Sequence, residues 1–318
     1  MAGRELGNES DKIVTLFGGD GFIGRYVAQA LLRAGARVRI AGRNPKRAFF
    51  LKPQAALGQV QFLAAGPAKP GTVAAALRGA DAAVNLIGTL DGDFDAAHVD
   101  AVRVIANAAK AEGVARLVQI SAIGADPASA SAYARSKGEG EREATRAFPN
   151  ATIIRPSVVF GPEDNFINRF ARMGQIMPVL PVVGAGAKFQ PVYVVDLAAA
   201  IAKAALDPSY AGRTFEIGGP EVLTMAELNG RVLEWIGHKR APLVLPDMIG
   251  DIVSRFGFLP GAPITRDQWL MLQKDNVAGA GVEGLDAFGI KPTPMAAVAP
   301  DWLVRYRRQG RFAKLRTA

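Results

Sequence analysis

Through the first 156 residues, short apolar runs alternate with longer stretches in which apolar positions recur every three or four residues. The runs are Ile13–Gly18, Val38–Ala41, Val60–Leu63, Ala82–Ile87, Arg116–Ser121 and Ala151–Ile154. Continuous apolar runs of this length predict buried parallel strands. The longer stretches predict helices. One carries Ile23, Val27, Ala30 and Leu31 and stops at Gly35. Another runs from Phe94 to Glu112 and closes at Gly113, and a third covers Ala132–Arg146. Strands alternating with helices at this spacing predict an α/β fold, a doubly wound parallel sheet with helices on both faces.

After Pro156 the alternation breaks down, with Pro and Gly punctuating residues 161–191. Two later segments, Pro191–Val195 and Thr214–Ile217, are expected to return to the sheet. The rest of 163–300 is expected to form a smaller, mostly helical C-terminal lobe, leaving 12–162 as the main domain. The amphipathic stretch Asp247–Phe258 is expected in the core, with a cleft lip or a docking surface as the alternatives.

Composition narrows the chemistry. The chain of 318 residues has no cysteine, which excludes disulfides, thiol catalysis and zinc sites built on Cys. His98 and His238, the two histidines, are far apart in sequence, so a His-rich metal site is not expected. No run of 18 apolar residues is free of charge, and residues 1–12 hold no apolar segment, so neither a transmembrane helix nor a secretory signal is expected. A cytoplasmic protein is the expectation. The formal charge is +9, and Asp301–Ala318 contributes six bases against one acid, with Trp302, Leu303, Tyr306, Phe312 and Leu315 interleaved. Such a basic tail suits an anionic membrane surface, an acidic partner or nucleic acid, or is simply solvated.

The first βα turn reads Gly18-Gly19-Asp20-Gly21-Phe22-Ile23-Gly24. A glycine-rich turn between strand and helix lets backbone approach a pyrophosphate and aims the helix N-terminus at it. Phe22 and Ile23 sit in that cradle. A better textual match, Gly279-Ala-Gly281-Val-Glu-Gly284, follows Lys274-Asp275-Asn276 instead of an apolar strand, so it reads as a loop. The second strand ends Ile40-Ala41-Gly42-Arg43-Asn44-Pro45-Lys46-Arg47, with three bases where an acid would bind a ribose 2′-hydroxyl. That predicts NADP(H) over NAD(H), with Arg43 on the 2′-phosphate and Lys46 or Arg47 in support. Tyr133 and Lys137, four apart on a predicted helix, share a face. A nearby ammonium is expected to lower the phenol's pKa. Ser121 ends the fifth strand, where its hydroxyl can polarise a carbonyl.

These residues stand in the order of a known family. The chain resembles the extended and atypical short-chain dehydrogenase/reductases in its strand-1 glycines, Asn85-Leu-Ile87-Gly88, Ser121, Tyr133/Lys137, Arg155–Pro162, Val194-Val-Asp196 and Phe215–Pro220. The resemblance implies a Rossmann fold. It implies catalytic roles for Ser121, Tyr133 and Lys137, with Lys137 on the nicotinamide ribose and Tyr133 in proton transfer. It places Ile87, Gly88, Pro156 and Val158 along the cofactor.

A narrower likeness lies in Ser121–Pro127, Ser131–Glu139, Ile264–Gln268 and Asp275-Asn276, which resemble the dehydrogenase-like accessory subunits of respiratory complex I and their bacterial relatives. This implies NADPH held without assigned turnover, peripheral-arm subunits as partners, and a place on the cytoplasmic side of a bacterial inner membrane. Nucleic acid is not an expected partner. The alternative is an active NADP(H)-dependent reductase or epimerase acting on a small carbonyl or alcohol. A regulatory NADP sensor is a third reading. The sequence departs from the family pattern in two places. His98 stands where many relatives carry an Asn, as a relay or, in the simpler reading, a cap or packing residue. Ala64-Ala-Gly66-Pro-Ala68 lacks the usual acid after the third strand.

Overall fold

A computed structural model describes residues 12–257, 264–308 and 310. The chain divides into two units. The first lies within Met1–Arg155, Val195–Glu216 and Glu283–Ile290, the second within Pro156–Val194, Ile217–Val282 and Lys291–Ala318.

Six strands follow the predicted runs: β1 (Ile13–Phe17), β2 (Arg37–Gly42), β3 (Val60–Ala64), β4 (Ala82–Asn85), β5 (Arg116–Ile120) and β6 (Thr152–Pro156). With Thr214–Ile217 they form a seven-stranded sheet in the order (214–217)-β6-β5-β4-β1-β2-β3. The pairs from β6 to β3 are parallel. The strand order reverses between β1 and β4, which opens a crevice at their C-terminal ends.

Four helices connect these strands: α1 (Phe22–Arg33), α2 (Pro70–Leu77), α3 (Ala101–Ala111) and α4 (Ala132–Ala147). Helices α2, α3 and α4 bury Val73, Ala76, Leu77, Ile105, Ala109 and Ala144 on one sheet face. Alanine at so many contacts permits close approach. At Gly140 in α4 a Cβ would lie 2.0 Å from the carbonyl oxygen of His98. A π-helical turn, Ala96–Asp100, precedes α3 and places His98 beneath that contact. The first unit also includes the 3₁₀ turn Leu285–Phe288, whose Phe288 ring stacks 4.5 Å from that of Tyr210.

Pro191–Val195 does not join the sheet as expected. Val192–Tyr193 pairs instead with Val159–Phe160 in a separate ribbon. Pro191 has no N–H to donate, and Val194 already begins the helix Val194–Leu206, so only two residues are free to extend. The second unit packs around Phe160, Ile167, Leu180, Leu228, Val232 and Leu233.

Two further expectations are corrected. The helix Asp247–Arg255 does not bury its large apolar side chains: Met248, Ile252 and Phe256 are exposed. Its buried face is small, Gly250 and Ser254, because the Trp269 ring lies where a Cβ on Gly250 would be, within 2.3 Å. Phe258 is outside the described residues. The supposed basic tail begins inside the helix Met295–Leu303, with Trp302 and Leu303 in the core. Arg305 and Arg307 donate to the carbonyls of Trp302 and Trp235. Arg311, Phe312, Lys314, Leu315 and Arg316 lie outside the described residues. No helix among the described residues is long and apolar enough to cross a membrane.

Candidate functional site

The glycine turn after β1 has the geometry its sequence demands. Gly18 adopts φ +82°, and a Cβ there would sit 3.1 Å from Leu86 backbone. That conformation and that approach both require glycine. Gly24 lets α1 press on the turn, since a Cβ would fall 2.3 Å from Gly18 O. Gly21 caps α1 in extended conformation with no side-chain capping bond. The helix therefore opens through Phe22, Ile23 and Gly24 with amide groups that no side chain caps, the arrangement that receives an anion.

Beyond β2, the three bases take different places. Arg47 pairs with Asp20 of the glycine turn at 3.3 Å. Arg43 is exposed, and its Cγ lies 3.3 Å from where a Cβ on Gly66 would stand. The absence of a side chain at Gly66, in the segment lacking the usual acid, thus gives the Arg43 stem its path. Lys46 is exposed on the following 3₁₀ turn, Pro45–Gln54.

Two buried amides hold the turn after β4. Asn85 Nδ2 donates to Gln119 Oε1 at 2.8 Å, and Asn85 Oδ1 accepts the amide of Ile87 at 3.1 Å. This fixes Ile87 and Gly88. A Cβ on Gly88 would meet Lys137 Nζ at 3.3 Å and His98 Nε2 at 3.7 Å, so the glycine leaves the lysine head its space. Sequence reading singled out Asn85 within its motif but missed Gln119, whose role depends on a cross-strand neighbour.

Ser131 caps α4 by accepting the amide hydrogen of Ala134 at 3.2 Å. This sets Tyr133 and Lys137 on one face of the helix. The Lys137 ammonium lies 6.0 Å from the Tyr133 ring centre and donates to Ile120 O at 3.3 Å. Tyr133 packs edge-on against His98 at 5.3 Å and Phe94 at 5.9 Å. Burial pushes the Tyr133 phenol up to about 12 and the Lys137 ammonium down to about 8, with Glu141 opposing the latter shift. The expectation that Lys137 lowers the phenol's pKa is therefore corrected: desolvation outweighs the ammonium. A phenol held that high is protonated at neutral pH.

Ser121 Oγ is buried and has no hydrogen-bond partner among the described residues. An unmet buried hydroxyl costs about 1–3 kcal/mol, which a ligand oxygen would relieve. Together with the uncapped helix start, the Gly18 conformation and the donors remaining on Lys137, this hydroxyl fits a bound dinucleotide.

In the second unit, Pro156 ends β6 and the next two residues are clamped by Asn276. Its Oδ1 accepts Val158 N at 3.0 Å and Ser157 Oγ at 2.7 Å. Asn276 stood out in sequence only through the family likeness. Its partners lie 118 and 119 residues upstream, beyond any local pattern.

Residues 18–168 match a family described as NAD(P)H-binding. Over 307 residues the chain is 34% identical to NADH dehydrogenase [ubiquinone] 1 alpha subcomplex subunit 9, mitochondrial, of Mus musculus, covering 94% of this chain and 81% of that one. The chain belongs to the NAD(P)H-binding atypical short-chain dehydrogenase/reductase family. Within it, the NADH-ubiquinone oxidoreductase 40 kDa subunit of Neurospora crassa is 30% identical over 301 residues, with 92% and 79% of the two chains covered. Among solved structures, an NADPH-dependent quinone oxidoreductase of Escherichia coli superposes with a TM-score of 0.76 at 20% identity, over 91% of this chain and 99% of that one. This shared fold is the Rossmann arrangement of the dehydrogenase/reductase family.

Proposed function

We propose that this protein is an NADP(H)-holding accessory subunit of NADH:ubiquinone oxidoreductase, its cofactor structural or regulatory. The observation that carries the reading is likeness along almost the whole chain, 94% of it, to subunits of that complex. In this reading the pyrophosphate lies on Gly18, Gly21, Phe22, Ile23 and Gly24. Arg43 takes the 2′-phosphate with Lys46 beside it, and Arg47 contributes through its pair with Asp20. Ile87 and Gly88 line the cofactor, Tyr133 and Lys137 bond the nicotinamide ribose, and Pro156 and Val158 flank the nicotinamide. Lys137 and Tyr133 serve binding alone as well as they serve catalysis. The partners are peripheral-arm subunits near the membrane, on the cytoplasmic side of a bacterial inner membrane, and the basic C-terminal residues add attraction to anionic lipid.

The test is gentle detergent extraction of native membranes and purification through a tag on this protein. Respiratory-complex subunits in stoichiometric amount, with NADPH retained, are the expected result. A free protein that exchanges its nucleotide readily overturns the reading.

A second reading rests on Ser121, whose buried hydroxyl, unpartnered among the described residues, accompanies an intact Tyr133 and Lys137. It is an active reductase or epimerase on a small carbonyl or alcohol. A bound nicotinamide supplies or accepts the hydride. Ser121 orients the substrate oxygen and the Tyr133 phenol moves the proton. Tyr133→Phe then abolishes turnover with binding nearly intact. In an accessory subunit the same change leaves respiratory activity unaltered.

A further inference from the structure

Between Gly21 and Ala80 the chain holds ten Lys and Arg and not one Asp or Glu. The chain-wide frequency, 29 acids in 318 residues, would place about five in such a stretch. The segment builds one end of the sheet: α1, β2, the 3₁₀ turn Pro45–Gln54, β3 and α2. The charge of the first unit is therefore concentrated at one edge.

Apolar surface lies within this basic field. Leu57 is fully exposed, and Phe49 and Phe50 are more than a third exposed. Cations cover both rings: the Lys52 ammonium lies 3.6 Å from the centre of Phe49, and the Arg25 guanidinium 4.7 Å from that of Phe50. Phe49 in turn meets Phe62 of β3 edge-on at 5.1 Å. Among the described residues the sheet ends on β3, and Val60-Gln61-Phe62-Leu63-Ala64 carries no charge and no proline. Open edges are ordinarily blunted by such residues.

We infer that this edge, centred on Leu57, Lys52 and Phe49, docks an acidic protein surface. Three observations select the partner. With Arg43, Lys46 and Arg47 set beside the cofactor and Arg78 paired with Glu112, six bases remain in the segment without an acid among them, and these favour a negative counterpart. Phenylalanine and arginine, which meet here at Phe50 and Arg25, are enriched in protein interfaces. A partner's carboxylates can pair with Lys52 and Arg25 while these stay over their rings, whereas insertion into lipid would strip the cation from two of the three exposed apolar side chains. The inference concerns a face and a partner chemistry and does not depend on which complex the protein joins.

The test places a photoreactive benzoylphenylalanine at position 57 of the full chain in native membranes. Because Leu57 is fully exposed, the replacement leaves the core untouched. The expected result is an adduct with one protein, mapped by mass spectrometry to a peptide of net negative charge. Its yield should fall at least tenfold when Arg33→Glu and Lys52→Glu are added, with NADPH affinity and circular dichroism unchanged. Lipid adducts, scattered adducts or none at all overturn the inference. So does flotation with phosphatidylserine-containing vesicles that Leu57→Asp abolishes. Should the tagged protein bring down the respiratory complex while position 57 yields no acidic adduct, this inference fails and the functional reading survives. An acidic adduct on a protein outside that complex is the reverse outcome.

Discussion

Thr89 donates its backbone hydrogen to His98 Nε2 at 3.0 Å, and that bond decides the tautomer of the ring. With Nε2 as acceptor, Nδ1 carries the hydrogen and gives it to Ser136 Oγ at 2.9 Å. Ser136 passes its own hydrogen to the carbonyl of Tyr133, also at 2.9 Å. The imidazole thus ties the turn after β4 to the first turn of α4. It is a packing residue with both nitrogens engaged, which is the simpler of the two readings its sequence position allowed.

The first prediction concerns acid stability. Burial, with the Lys137 charge adding to it, holds His98 down to about 3 in the folded protein, against 6.5 in the unfolded chain. Below pH 6.5 the unfolded state binds a proton that the folded state refuses. His98 therefore favours folding fully above pH 6.5, and its contribution is lost as pH falls from 6.5 toward 3. The full slope is about 1.4 kcal/mol per pH unit. Urea unfolding at pH 7 and at pH 5 should show a clear loss in the wild type and a much smaller one in His98→Asn. An identical loss in both proteins would exclude this role.

A second prediction follows from the lysine. The Lys137 ammonium, lowered to about 8 by burial, is charged at neutral pH and loses its proton just above it. NADPH binding that uses the ammonium should hold steady below pH 7. Above pH 8 it should weaken, by at most about tenfold per pH unit. Lys137→Met should weaken binding by about tenfold to a hundredfold at pH 7 and remove the alkaline decline. Fluorescence titration from pH 6.5 to 9.5 provides the readout, and a wild-type affinity flat to the alkaline limit counts against the assignment.

The third prediction separates the two cofactors. Arg43→Glu puts a like charge where the 2′-phosphate is expected, and should cost NADPH about a hundredfold in affinity with little effect on NADH. Gly66→Val should imitate it in weaker form, because a side chain there crowds the Arg43 stem at 3.3 Å. Equal losses for both nucleotides would sink the NADP assignment. Arg47→Gln should be milder, as its exposed pair with Asp20 is worth at most about 1 kcal/mol.

How much of this was legible in the sequence depends on range. The strands and the glycine turn were readable because their causes are local: an apolar run, a positive φ at Gly18, a helix that opens at Phe22. The Tyr133/Lys137 face followed from helical spacing alone. The phenol's pKa did not, because it depends on how completely the surrounding elements bury the ring. Pro191–Val195 was misread because its apolar character suited a strand while Pro191 and the helix start at Val194 left it two residues long. The helix Asp247–Arg255 was misplaced for a related reason. Its periodicity marked an apolar face, yet Gly250 is the position that meets Trp269, and no pattern in the segment shows a ring arriving from another helix.

The clamp at Asn276 yields the last prediction, and it bears on a segment that local pattern could not reach. Asn276 Oδ1 is one acceptor serving two donors, the amide of Val158 and the hydroxyl of Ser157. Ser157 Oγ is also held by the Asn276 carbonyl at 2.9 Å, so the hydroxyl keeps a partner if the side chain is lost. The Val158 amide has no such alternative among the described residues, and Asn276→Ala should cost about 1–3 kcal/mol for a donor left unmet. Asn276→Asp retains an acceptor at the same position and should recover most of the loss. If Pro156 and Val158 flank the nicotinamide, the alanine variant should also weaken NADPH binding, whereas adenosine 2′,5′-bisphosphate, which lacks the nicotinamide, should bind as before. Loss of affinity for both ligands would mean that the substitution acts through general unfolding, and unaltered affinity for both would separate this loop from the cofactor.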